Sequence, residues 1–142
     1  MPARSANHAG HPRPPDEKLT INIGCVDLGQ IDLLVQEGFY ANRTDLIRTA
    51  IRNQLSKHQS VVREVVTRKT LVLGIQHYGA AELKAVKATG EMLQIKVLGL
   101  ASIAADVTPA LALATIESIT VLGALHASPA VKAALRQRTA GA

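Results

Sequence analysis

The sequence predicts a mixed chain, α+β in its first part and α/β in its second. Three observations lead there. Residues 18–58 hold a short alternating strand followed by two capped helical patterns. A Val-Leu-Gly tripeptide recurs at residues 72–74, 97–99 and 121–123, at spacings of 25 and 24. Apolar residues make up 47% of the chain but aromatics only 2%, so any core is built from Leu, Ile, Val and Ala. At 142 residues the chain could form one domain or two small ones.

Residues 1–16 contain Pro2, Pro12, Pro14 and Pro15 and little to bury, which predicts a disordered arm. Arg4, His8, His11 and Arg13 make it a solvated tail or a basic arm that adds phosphate contacts. Two histidines alone lack the remaining ligands of a closed metal site.

From Lys18 to Ile23 apolar and polar residues alternate. In a strand, Leu19, Ile21 and Ile23 share one face and Lys18, Thr20 and Asn22 the other. Asp27, with Gln30 three residues on, has the spacing of a helix-opening capping box. Leu28, Ile31, Leu34 and Val35 form the apolar stripe of that helix, and Gly38 ends it. Asn42 caps a second helix and Asp45 completes a second box; Leu46, Ile47, Ala50, Ile51 and Leu55 give its stripe. Residues 59–69 read as a helical or extended connector. Val61, Val62, Val65 and Val66 have helical spacing but β-branched side chains.

From residue 70 to 142 the repeated tripeptide marks three strand-helix units. Helices are expected from Gly79 to about Ala88 with Leu83 and Val86, from Thr108-Pro109 with Leu111, Leu113 and Ile116, and from Ser128-Pro129 with Val131 and Leu135. A hydroxyl residue before proline starts a helix well, because it caps free amides while proline at the first position loses no hydrogen bond. The period lies in the range of solenoid-like repeats and implies parallel strands with helices stacked on one side. Lys132 to Ala142 is positioned to cap one end.

The segment from Lys18 to about His58 resembles the ribbon-helix-helix family of DNA-binding regulators (the MetJ/Arc/CopG type). The residues that carry the resemblance are Leu19-Thr20-Ile21-Asn22-Ile23, Gly38-Phe39-Tyr40-Ala41-Asn42-Arg43-Thr44-Asp45, and Ile47-Arg48 with Ala50-Ile51-Arg52. The resemblance implies an N-terminal ribbon-helix-helix domain over residues 17–58 that pairs its strand with that of a second chain, an obligate homodimer. Lys18, Thr20 and Asn22 would then read base edges in the major groove, where a two-stranded ribbon fits. Asn42, Arg43 and Thr44, at the start of the second helix, would hold a phosphate. The duller reading makes Thr20 and Asn22 the wet face of an edge strand and leaves Asn42 and Thr44 as helix-start residues only.

The formal charge of +5 favours anionic partners, double-stranded DNA among them, but it is spread along the chain and marks no patch. No Gly-rich phosphate loop, Cys-x-x-Cys or His-Glu-x-x-His occurs, so no enzyme, cofactor or metal site is expected. His77, Ser102 and His126 each follow a repeat glycine by three residues and would form a ladder. Its two histidines would stand roughly 10 Å apart, too far to share one ion. Cys25 is the sole cysteine, read as a small buried residue, and a reducing cytoplasm suits it. Neither a signal peptide nor a membrane span is expected.

These readings converge on a bacterial, sequence-specific transcriptional regulator, most simply a repressor. Residues 70–142 would serve oligomerisation above the dimer, an effector or a protein partner. An antitoxin is the alternative, although antitoxin tails are usually charged and disordered whereas residues 70–142 are apolar and foldable. A structural or assembly protein linked to DNA is a third reading, since stacked repeats have open ends.

Overall fold

The computed structural model describes residues 16–140. Residues 16–24 carry no regular secondary structure, so the alternating segment from Lys18 to Ile23 is not a strand within the single chain. A strand requires a hydrogen-bonded neighbour, and the sheet of this chain is formed entirely by later residues. Apart from Asp16, the expected N-terminal arm lies outside the described residues.

The first helix, α1 (Cys25–Gln36), starts earlier than expected. Gly24 is extended (φ −65°, ψ 149°) and takes the cap position, and its carbonyl accepts from the Leu28 N–H at 3.0 Å. Asp27 therefore falls inside the first turn and makes no side-chain cap; its charge still suits the positive end of the helix. Cys25, expected to be buried, is exposed. The other end matches the sequence reading. Gly38 adopts φ +83°, its N–H bonds to the Val35 carbonyl at 3.1 Å, and the Phe39 N–H bonds to Leu34 at 3.0 Å. This is the αL closure that glycine permits.

Helix α2 (Arg43–Lys57) is followed, after a break at His58, by α3 (Gln59–Arg68), which resolves the connector as helical. Lys69 ends α3, and the next residue, Thr70, is the one described non-glycine residue with positive φ, at +52°. The Thr70 and Leu71 N–H groups bond back to the Thr67 and Val66 carbonyls, so the same closure is made with a β-branched residue in glycine's place.

The remaining chain forms one parallel sheet of β1 (Val72–Tyr78), β2 (Leu93–Ile103), β3 (Ile116–His126) and a short β4 (Thr139–Ala140), in that order. The three tripeptides lie side by side: Val72, Val97 and Val121 pair in register, as do Leu73, Leu98 and Leu122, and Gly74, Gly99 and Gly123. At the start of β2 and β3 the register shifts between Leu93 and Gln94, which pair with Ile116 and Ser118 and leave Glu117 as an extra residue. Each repeat glycine has a positive φ, +128°, +138° and +118° in order. A Cβ on Gly99 would overlap the Gly74 carbonyl oxygen, and one on Gly123 would overlap that of Gly99. Only glycine allows the strands to lie this close at that level.

Helices α4 (Ala80–Thr89), α5 (Pro109–Thr115) and α6 (Pro129–Ala134) follow the three long strands, and α5 touches both of the others. Thr108 and Ser128 cap α5 and α6 ahead of a first-turn proline, as the sequence indicates. Ile116, assigned to the second of these helices on the sequence, opens β3 instead; the helix ends at Thr115, whose buried hydroxyl donates to the Leu111 carbonyl at 2.7 Å. The core is aliphatic and one-sided. Ile95, Val97, Ala101 and Ile103 of β2 and Ile119 of β3 pack with Leu83, Leu111, Val131 and Leu135. Each large aliphatic side chain buried this way contributes roughly 1.5–3 kcal/mol. The described part of the expected end cap, residues 132–140, begins within α6 and passes through a turn of 3₁₀ helix into β4, which pairs with Ile119 and Thr120 at the sheet edge. Arg138 donates to the Leu113 and Ile116 carbonyls there, tying this last segment to the junction of α5 and β3.

Candidate nucleic-acid interface

The helical pair α1–α2 is held locally. Asn42 sits at the cap of α2 with its Oδ1 accepting from the Asp45 N–H at 2.8 Å, while Asp45 Oδ2 accepts from the Ala41 N–H at 3.0 Å. The reciprocal box expected here forms, with the backward bond reaching one residue further upstream. Arg43, the first residue of α2, turns back to α1 and donates through Nε at 2.7 Å and Nη2 at 2.8 Å to the two Asp32 oxygens. The hydrogen bond from Arg43 holds the Asp32 carboxyl below its usual value of 3.8, and the same contact raises the Arg43 pKa.

Neither α1, α2 nor α3 contains a buried residue. Leu19, Ile21, Ile23, Leu33, Phe39, Ile47, Ile51 and Leu55 are all exposed. Of the stripes read from the sequence, Leu28, Ile31, Val35 and Leu46 are half-buried, while Leu34, Ile47, Ile51 and Leu55 stay exposed within one chain.

Lys18, Thr20 and Asn22 are exposed in the irregular segment before α1. Asn42, Arg43 and Thr44 meet at the start of α2. The two groups belong to separate elements, and the structure shows no side-chain hydrogen bond between them.

Asn42, Thr44 and Asp45 share a shallow polar hollow of about 490 Å³ with Arg48 and Arg52. The sequence alone does not mark these two arginines as binding residues. The signal was present: Thr44, Arg48 and Arg52 recur every four residues, which places them on one face of α2. Arg43 is engaged by Asp32, so Arg48 and Arg52 supply the positive charge of this hollow.

The His77, Ser102 and His126 ladder forms in register along the ends of β1, β2 and β3. His77 Nδ1 lies 3.2 Å from the Ser102 hydroxyl, and His126 Nε2 lies 2.7 Å from Glu17, next to Lys18. Among the described residues, no three His, Cys, Asp or Glu side chains are grouped so as to hold a metal ion. No described helix is long and apolar enough to cross a membrane.

Residues 14–132 match the family model of the ribbon-helix-helix transcriptional regulators. No curated protein and no solved structure matches the chain.

Proposed function

Since the chain belongs to the ribbon-helix-helix transcriptional regulator family, we propose that it is a sequence-specific DNA-binding repressor that acts as a homodimer. In this reading residues 17–58 are the DNA-binding unit, residues 59–69 connect, and residues 70–142 form a solenoid-like β/α unit for oligomerisation or for a partner or effector. The setting is a bacterial cytoplasm.

One observation carries the reading: an extended segment without a strand partner precedes two helices that bury no side chain. Pairing the Lys18–Ile23 segments of two chains in an antiparallel ribbon satisfies their backbone groups. It also gives Leu19, Ile21 and Ile23 a shared core with the stripes of α1 and α2. The alternation then turns Lys18, Thr20 and Asn22 outward into the major groove, where Asn22 can pair with adenine, Lys18 with guanine acceptors and Thr20 with a thymine methyl or a polar edge. Asn42, Arg43 and Thr44 lie at a helix start, where free amides favour phosphate.

An electrophoretic shift on the DNA upstream of its own gene tests the reading. Wild type should bind this DNA more tightly than random DNA, and Asn22→Ala should narrow the difference. Equal affinity of both proteins for both DNAs would sink base readout by this segment.

A further inference from the structure

The second face of the sheet is apolar and only partly covered. Alternation along β2 sends Ile95, Val97, Ala101 and Ile103 into the core and leaves Leu98 and Leu100 on the opposite side. In-register pairing extends this into two apolar rows, Leu73–Leu98–Leu122 and Ile75–Leu100–Ala124. Leu73 is 63% exposed and Ile75 53%. The rows are bounded by polar groups, Lys96 and Thr120 at one end and His77, Ser102 and His126 at the other. An apolar centre with a polar rim is the anatomy of a protein interface.

Parallel sheets are found almost only with both faces covered, because their strands are apolar on both sides. Here α4, α5 and α6 cover one face, while α3 lies alongside the other without filling it. Val61, Val62, Val65 and Val66 of α3 line an open groove of about 200 Å³ with Leu98 and Leu122.

We propose that this face is covered by a second copy of the same chain, which makes the sheet a second dimer contact beside the ribbon. The inference rests on the ribbon dimer of the proposed function, because what names the occupant is continuity. A second groove, of about 430 Å³, is lined by Leu55 of α2, by Ser56, Gln59 and Val62, and by Leu98 of β2. Apolar surface therefore runs from the stripe of α2, which the ribbon assigns to a second chain, over α3 and onto the sheet. The chain's own Leu19 and Ile21 do not serve as the cover, since they stand 81% and 67% exposed.

The test uses the full chain without DNA. By sedimentation equilibrium, Leu98→Glu/Leu122→Glu should weaken self-association roughly tenfold or more, while Ile21→Glu, with its ribbon damaged, should still associate through the sheet. A double variant that associates like wild type, or an Ile21→Glu chain that is strictly monomeric, would overturn the proposal. A second measurement covers the case in which the double variant does not fold. In a Cys25→Ser background, Leu98→Cys should be joined to a second chain by a short bismaleimide, while Lys84→Cys on exposed α4 should not; no joining at 98, or equal joining at both, overturns it. Since no readout involves DNA, a chain that associates in this way but binds no operator refutes the regulator reading and leaves the interface standing.

Discussion

Arg43 and Asp32 form a two-pronged contact, Nε and Nη2 to the two carboxylate oxygens at 2.7 and 2.8 Å, that joins the start of α2 to α1. The guanidinium proposed to hold a DNA phosphate is thus already engaged by an acid. Both groups are exposed, so the contact is exchangeable and screened by salt.

Removing the acid should therefore favour DNA. Asp32→Asn is expected to strengthen binding to specific and random DNA alike, and Arg43→Ala to weaken both alike, as read by salt-dependent filter binding. If Arg43→Ala left affinity unchanged on every sequence, Arg43 would have no phosphate role.

The same pair sets an acid response. The Asp32 carboxyl titrates below 3.8 in the folded chain because the charged form accepts from Arg43. Its contribution to stability is therefore complete above that unfolded value and is lost as pH falls through the lower folded one. An NMR titration should place the Asp32 midpoint below 3.8 in wild type and return it towards 3.8 in Arg43→Gln. Identical midpoints in the two proteins would refute the coupling.

Capping and DNA contact by Asn42 can be separated. Asn42→Ala removes the acceptor for the Asp45 N–H and should cost about 1 kcal/mol in a denaturant melt. Asn42→Asp keeps an acceptor, so it should hold most of that stability while its charge repels phosphate and lowers DNA affinity. Equal DNA affinity for Asn42→Asp and wild type would leave Asn42 as a cap alone.

Thr70 offers a stabilising substitution. A β-branched residue at φ +52° adopts a conformation that costs roughly 1–2 kcal/mol. Thr70→Gly should relieve this and, after the added freedom of the unfolded chain, raise stability by about 0.5–1 kcal/mol. A fall in the midpoint of thermal unfolding would show that Thr70 carries a contact worth more than the strain.

The glycine row predicts a graded series. Gly99→Ala and Gly123→Ala put a methyl into a neighbouring carbonyl as well as an unfavourable φ, and should each cost more than about 3 kcal/mol. Gly74→Ala meets nothing within 4 Å and should cost only the backbone strain, about 1–3 kcal/mol. Three equal losses in urea melts would mean that φ alone, and not crowding between strands, requires these glycines.

Sequence reading succeeded where a local rule determines the outcome. Gly38, Asn42, Thr108 and Ser128 act at helix ends because each end needs its orphan groups satisfied by nearby residues. The recurring tripeptide was legible because identical units stack in register. Reading failed where two signals competed. Asp27 had the right spacing for a cap, but Gly24 reaches an extended conformation ahead of it. Ile116 fitted a helical stripe, yet the β-branched run that follows draws it into β3. The Lys18–Ile23 segment is a different case: its expected partner is a second chain, and within one chain it carries the pattern of a strand without being one. The hollow with Arg48 and Arg52 went unread because charge on a helix face looks the same whether it meets solvent or phosphate.

The row of Gly74, Gly99 and Gly123 also bears on how such a chain can change length. Gly99 and Gly123 each make room for the carbonyl of the strand before, so each added layer depends on the one it stacks against at that level. A new layer is accommodated only if it arrives with its own glycine and its own helix. Growth or shrinkage by whole modules preserves the crease, while a single-residue insertion within a strand throws one glycine out of line and sets a side chain against a neighbour's backbone. The size of this half of the protein is in that sense quantised, and tandem duplication is the route by which a longer version could arise.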